Sequence, residues 1–309
     1  VQFNSMEPVP PLVNTLYSLF LRRNFAKYYE KTFAEIQYSQ RVLNGLFFIA
    51  NVSYQRRNSL MNSSDYSFFY RDNRFFYSNN PTDFNNPPEQ GIQIFNSHNH
   101  FAVDLYLRLR FAQKYVSYPG RRFHLDSKYP EIWINYKKGI PVLGAVTDYD
   151  YLSITVQKTE IPIASIGYFT FRTKFGIFPN SKRMEFPDFM HFTGNQTVYA
   201  KSNMHWRSYQ LMPYYSYSID RWFTEAHFEH DFKGFIWNKI PLLKKLGFEN
   251  IIGSHFLYTP GMKEYVEVNF AISRIGWKLL RFCRVDFVTS FRNGMKPKFG
   301  AVFSLNFSL

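Results

Sequence analysis

The chain has one cysteine, Cys283, so no internal disulfide framework holds it together. It has no run of 18 or more apolar residues, which excludes a helical membrane span. Glycine-rich phosphate loops and cysteine pairs at metal-ligand spacing are missing. No serine sits in a nucleophile motif, although serine, histidine and acidic residues are plentiful. Acidic side chains are in short supply, 23 against 37 Lys and Arg, for a net charge of +14. The basic residues are scattered and not gathered on one helix or patch, which argues against nucleic acid. Anionic lipid head groups or sugar phosphates, the phosphates of lipid A among them, fit that charge better. No catalytic residue, cofactor or metal site is nominated, and the chain is expected to be no enzyme.

What is abundant is aromatic. There are 35 Phe and 23 Tyr, 20% of the chain is aromatic, and mean hydropathy is still only −0.32. An ordinary soluble core does not need so many rings. A membrane β-barrel does, because it combines aromatic girdles and an apolar outer wall with a polar interior.

The C-terminal stretch carries this reading furthest. Cys283, Val285, Phe287, Thr289 and Phe291 alternate with Arg284, Asp286, Val288, Ser290 and Arg292. Asn293-Gly294 follows, a strong hairpin signal because both residues tolerate positive φ. The return strand sets Pro297, Phe299, Ala301, Phe303, Leu305, Phe307 and Leu309 on one face. Successive strand residues point to opposite faces, so the ribbon is apolar on one side and polar on the other. Cys283 reads as a small hydrophobe on the apolar side.

Similar alternation predicts about twelve strands. They fall near 34–42, 46–55, 101–112, 129–138, 151–158, 163–173, 209–218, 221–232, 250–258 and 264–273, before the final hairpin. In the clearest, Phe101 to Phe111 places Val103, Leu105 and Leu107 opposite Asp104, Tyr106, Arg108 and Arg110. A face carrying Asp104, Arg108, Arg110, Glu225, Glu229, Arg284 and Asp286 is not a dry core, since unpaired buried charge costs too much. The fold class is therefore all-β, a transmembrane antiparallel up-and-down barrel with short rim helices, and Asp104, Arg108, Arg110, Arg284 and Asp286 are its lumen charges. Residues 1–309 are taken as one outer-membrane barrel domain of the bacterial envelope.

Leu12 to Glu30 is predicted to be a helix beside the rim, and 57–100 a packed polar-aromatic loop. Outer-membrane barrels end their last strand in the periplasm. On that rule Asn44-Gly45 and Asn293-Gly294 are expected outside, and segments 1–31, 57–100, 174–208 and 233–249 inside. Asn238 to Gly247 reads as a short basic amphipathic helix with Pro241 in its first turn and Gly247 as its stop. Ile240, Leu242, Leu243 and Leu246 form its apolar set; Lys239, Lys244 and Lys245 lie beside them. It is expected to dock on the barrel mouth, a partner chain or lipid phosphate. His98 and His100 share a strand face, whereas His227 and His230 do not; polar loop or rim histidines are the default for all four.

Several phrases carry a family resemblance. They include Asn14-Thr15-Leu16-Tyr17-Ser18-Leu19, Leu43-Asn44-Gly45-Leu46, Ser127-Lys128-Tyr129-Pro130 and Gly194-Asn195-Gln196. The most specific is Asn238-Lys239-Ile240-Pro241-Leu242-Leu243. Together they resemble the Bacteroidetes-type outer-membrane proteins in which a carboxypeptidase-regulatory-like β-sandwich precedes a barrel of unknown function. That barrel is distantly similar to the outer-membrane assembly-factor barrels, which have sixteen strands. The resemblance implies that further strands and the sandwich lie upstream, which suits a chain opening on Val1 without a signal peptide. It brings no catalytic residues. It implies a structural or assembly-assisting subunit working with other envelope proteins; the charged lumen keeps a channel or transporter open as the alternative.

Overall fold

The computed structural model describes residues 1–82, 95–276 and 280–305; the side chains of 202–204 and of Leu242 lie outside the description. Phe307 and Leu309, expected on the apolar face of the last strand, also lie outside the described residues. One antiparallel sheet of eleven strands dominates. It comprises β1 (Tyr29–Leu43), β2 (Leu46–Ser59), β3 (His98–Arg110), β6 (Glu131–Gly139), β7 (Asp148–Ile163), β8 (Gly167–Arg183), β9 (Trp222–Asp231), β10 (Glu249–Thr259), β11 (Lys263–Ile275), β12 (Cys283–Arg292) and β13 (Lys298–Leu305). A small ribbon, β4 (Tyr115–Tyr118) with β5 (Arg121–His124), stands between β3 and β6. Every strand of the large sheet pairs with its neighbour in chain order, an up-and-down meander. Among the described residues, β1 and β13 each end the sheet and do not pair with one another.

Asn44-Gly45 makes the tight turn between β1 and β2, with Gly45 at φ 84°. A side chain there would also strike the Arg110 carbonyl, 2.1 Å from the place of a Cβ. Helix α1 spans Pro11–Leu21, shorter than predicted. Arg22 at φ 54° stops it in the left-handed conformation.

The alternation of burial is plainest from β9 to β12, whereas β1 beyond Lys31 is exposed on both faces. Phe223, Glu225, His227 and Glu229 of β9 are buried, whereas Trp222 and Phe228 are exposed. On β11, Tyr265, Glu267, Asn269 and Ala271 are buried against exposed Val268 and Phe270. The outer face is apolar and open: Ile36 is 76% exposed, Phe299 68% and Phe303 52%. The opposite, covered face holds the polar and charged side chains.

What covers it is residues 184–221, the connection from β8 to β9. The predicted strand over 209–218 is not one. Pro213 interrupts it, and Tyr209, Met212, Tyr214 and Tyr217 are all buried. Their alternation is that of rings packing onto the sheet. Tyr209, Met212, Tyr217 and Ile219 join Tyr149, Phe223, Leu257 and Tyr265 in one apolar cluster. A second cluster joins Phe3, Phe25 and Tyr29 to Tyr214 and Tyr215. The segment touches β2 through Asp188 and Arg57, and β13 through Ala200 and Phe303. Contact with both flanks from one side requires the sheet to curl around it.

Removing that one strand reverses the parity of everything before it. Asn44-Gly45 therefore lies at the end that also holds 111–130, 164–166, 232–248 and 276–282, here the first end. Residues 1–28, 60–97 and 184–221 share the second end with Asn293-Gly294. The two Asn-Gly hairpins, expected on one side, face opposite ways.

Candidate functional site

The covered face builds two polar networks, each closed by the 184–221 segment. In the first, the turn Phe186–Asp188 drives Asp188 down onto β2 and β7. Its carboxylate accepts from Arg57 at 2.8 Å and from the Tyr149 hydroxyl at 3.1 Å. His100 Nδ1 lies 2.8 Å from Thr147 Oγ1 and 3.8 Å from the same carboxylate. Burial alone would raise the Asp188 pKa, but Arg57, His100 and Lys137 hold it well below the usual carboxylate range.

The second network crosses β8 to β12. Arg284 donates to Glu229 at 2.7 Å and, through two nitrogens, to Asp286 at 2.9 and 2.8 Å. Asn269 adds a bond to Asp286 at 2.8 Å, and His205 of the segment sits 3.5 Å from it. Arg172 pairs with Glu225 at 2.6 Å. His227 and His255 face each other, Nδ1 to Nδ1, at 2.9 Å. Glu267 accepts three bonds: from the Gln210 N–H at 2.5 Å, the Leu211 N–H at 2.7 Å and the Tyr265 hydroxyl at 2.6 Å. Every buried acid here has a cation or several donors, as burial demands. Burial lowers His205 and His191, both on the segment, to about 4.

The five predicted lumen charges divide. Arg284 and Asp286 sit at the centre of the second network. Asp104, Arg108 and Arg110 lie on β3, with other partners. Asp104 accepts from Asn135 at 2.5 Å and Tyr106 at 2.9 Å, and Arg110 pairs with Glu131 at 2.8 Å. Arg108 stacks between the rings of Phe47 and Trp133, 5.0 and 5.2 Å from their centres. Arg57, Asp188, His205, His255 and Glu267 were not singled out in the sequence. Strand parity places Arg57, His255 and Glu267; Asp188 and His205 lie on an irregular segment with no period to read.

The segment expected to be a rim helix is broken in two. Trp237–Lys239 is a short turn, and α2 spans only Pro241–Lys244. Ile240 and Leu246 are exposed, 42% and 41%, and Leu243 is half-buried. Lys239, Lys244 and Lys245 are exposed as well. Gly247 does stop the segment, at φ 63°. His98 and His100 point to the same face but to separate partners, Asn96 and Thr147. Among the described residues no three His, Cys, Asp or Glu side chains gather to hold a metal ion. In Asn195-Gln196-Thr197 the flanking residues are buried and Gln196 is exposed, and the Asn195 side chain accepts from Thr197 at 2.9 Å. The arrangement is built to hold a segment against a sheet.

Compared with known proteins, residues 1–272 match the model of a family of unknown function (DUF5686), C-terminal domain. No curated protein matches the chain.

Proposed function

The chain belongs to this family of unknown function through its C-terminal domain, and on that premise we propose that it is part of an outer-membrane β-barrel that serves, without catalysis, as a structural or assembly-assisting subunit of a bacterial envelope complex. One observation carries the reading: the sheet is inside out. Its open face is lined with Phe, Ile and Val, and its covered face with Arg, Glu, Asp and His. A water-soluble sheet would reverse that, because apolar area left in water forfeits roughly 25 cal/mol per Å2. Lipid is the solvent that fits. The Lys138–Asp150 pair, 2.9 Å apart on the outer face near the second end, suits the margin of an apolar band.

With the last strand ending in the periplasm, the second end lies outside. Segments 60–97 and 184–221 are then the long outer loops and Asn44-Gly45 a short inner turn, the ordinary porin arrangement. The exposed Ile240 and Leu246, with their lysines, stay on the periplasmic side, where another envelope protein or lipid phosphate would meet them. Sheet edges such as those at β1 and β13, which pair with no further strand along most of their length, have no place in hydrocarbon. Strands upstream, as the resemblance to sixteen-stranded assembly-factor barrels implies, would fill that seam.

The filled covered face favours a closed subunit over the rival reading of a channel or transporter. His227, His255 and Glu267 are at most 2% exposed beneath the segment. The test is planar-bilayer conductance of the purified full-length protein beside co-purification from envelopes. The expected result is no steady current and stable companions; a large steady current without companions would turn the assignment to a channel.

A further inference from the structure

Away from the covered face, a second concavity lies between α1, the end of β2 and residues 76–79. It is a cleft of about 340 Å3, within the range of small-molecule sites. None of its fourteen lining residues is charged, in a chain where 19% of residues are and the net charge is +14. A site for phosphate, carboxylate or ammonium would present a countercharge. This one presents carboxamides and hydroxyls.

The carboxamides are held in place. Asn14 Oδ1 accepts the Ala26 N–H at 2.9 Å, and Asn79 Oδ1 accepts the Tyr28 N–H at 2.9 Å. Asn62 Nδ2 donates to the Tyr77 carbonyl at 2.7 Å. Each carboxamide offers two donor hydrogens and two acceptor lone pairs. Asn79 Nδ2 also donates to the Tyr28 and Leu60 carbonyls, at 2.6 and 2.7 Å, and Asn24 Nδ2 to Asn62 Oδ1 at 3.5 Å. The bonds fix direction, and what they leave over is mainly acceptor capacity. Asn24 is the sharpest case. It is 9% exposed, its Nδ2 donates to the Tyr77 carbonyl at 2.9 Å, and its Oδ1 is buried with no partner. A buried acceptor left empty is costly, and a ligand hydroxyl would fill it. Tyr66, 52% exposed in the lining with Arg71 4.8 Å from its ring centre, supplies a ring for apolar C–H groups; Phe76 is buried, with Arg22 over its ring at 5.4 Å.

We propose that this cleft binds a neutral saccharide, its hydroxyls taken by the Asn24, Asn62 and Asn79 carboxamides and its C–H face by Tyr66. Fixed amides, hydroxyls and a ring without charge match a ligand that is polar all round yet uncharged. The site is separate from the covered face and stands independently of the subunit role.

The test uses the folded full-length protein in lipid nanodiscs and saturation-transfer NMR. The probes are galactose, mannose, N-acetylglucosamine and their methyl glycosides, with glucuronic acid and glucosamine 6-phosphate as charged controls. At least one neutral sugar should give a saturable signal, with the charged controls weaker by about tenfold or more. Ser64→Tyr, at an exposed lining position, should abolish the signal while leaving the fold intact. Asn24→Asp keeps the shape but adds a charge and should weaken binding by about tenfold. The proposal fails if no neutral sugar binds saturably, if the charged sugars bind equally well, or if the folded Ser64→Tyr protein binds as the parent does.

Discussion

The main-chain N–H of Gln210 lies 2.5 Å from a carboxylate oxygen of Glu267, and that of Leu211 lies 2.7 Å from the other. The covering segment pairs its own backbone between Met190 and Ile219, and at Gln210 and Leu211 it takes its hydrogen bonds from one side chain on β11. Glu267→Ala leaves both N–H groups buried and unpaired, at about 1–3 kcal/mol each. The expected outcome is a lower denaturant midpoint with early proteolytic cleavage within 184–221. Cleavage no faster than in the parent protein would show that the rings alone hold the segment.

Arg284 serves two acids at once, so removing it strands both. Arg284→Met should destabilise by about 3–5 kcal/mol, the cost of an uncompensated buried charge. Adding Glu229→Gln and Asp286→Asn should recover much of the loss. Equilibrium unfolding of the single and triple variants checks this, and a triple variant no better than the single would contradict the pairing.

Leu107 pairs with Phe48 and Ile134 on the outer face. Leu107→Lys should cost about 2–4 kcal/mol if that face meets the middle of a bilayer. Folding into lipid vesicles across a urea series measures it. An unchanged midpoint would remove lipid from the outer face.

Acid should loosen the covering segment. His191 and His205 are held at about 4, below the ordinary 6.5, because burial penalises the charged ring. The unfolded chain therefore binds more protons between those values. Stability is fully present above about pH 6.5, falls as pH drops toward 4, and levels off below, by up to about 3 kcal/mol per histidine. Limited proteolysis from pH 7 to pH 4 follows it. His205→Asn should flatten part of the slope; the same slope in His191→Asn/His205→Asn would assign it elsewhere.

Leu243→Asp with Leu246→Asp tests the proposed docking role of the 238–247 segment. Leu246 is exposed, so the barrel should fold normally and companion envelope proteins should be lost from pull-downs. Full retention of companions would make the segment an idle turn.

The regular strands were legible because period two is written wherever one face meets one environment, as in Phe101 to Phe111 and in Trp222 to Phe228. The 209–218 stretch was misread because its rings alternate for another reason: they pack onto a sheet while Pro213 forbids a ladder. That single misreading moved Asn44-Gly45 to the wrong end. The β4–β5 ribbon was passed over because four-residue strands around Pro119-Gly120 offer too few alternations. Strand parity located half of each polar network; the irregular segment that completes both has no period.

The two edges of the sheet are unequal. Phe303 on β13 already gives its N–H to Val198 and takes one from Ala200, each at 2.8 Å. Along β1 a chain lies only at the start, where Tyr29 and Val1 exchange two hydrogen bonds at 3.0 Å; further on, Ile36 stands 76% exposed. A bare edge accepts the next strand at once, whereas an occupied one must first be vacated or joined short of Phe303. In the proposed barrel this asymmetry would give the wall's completion an order: a further strand would add beside β1 first, and the seam against β13 would close last.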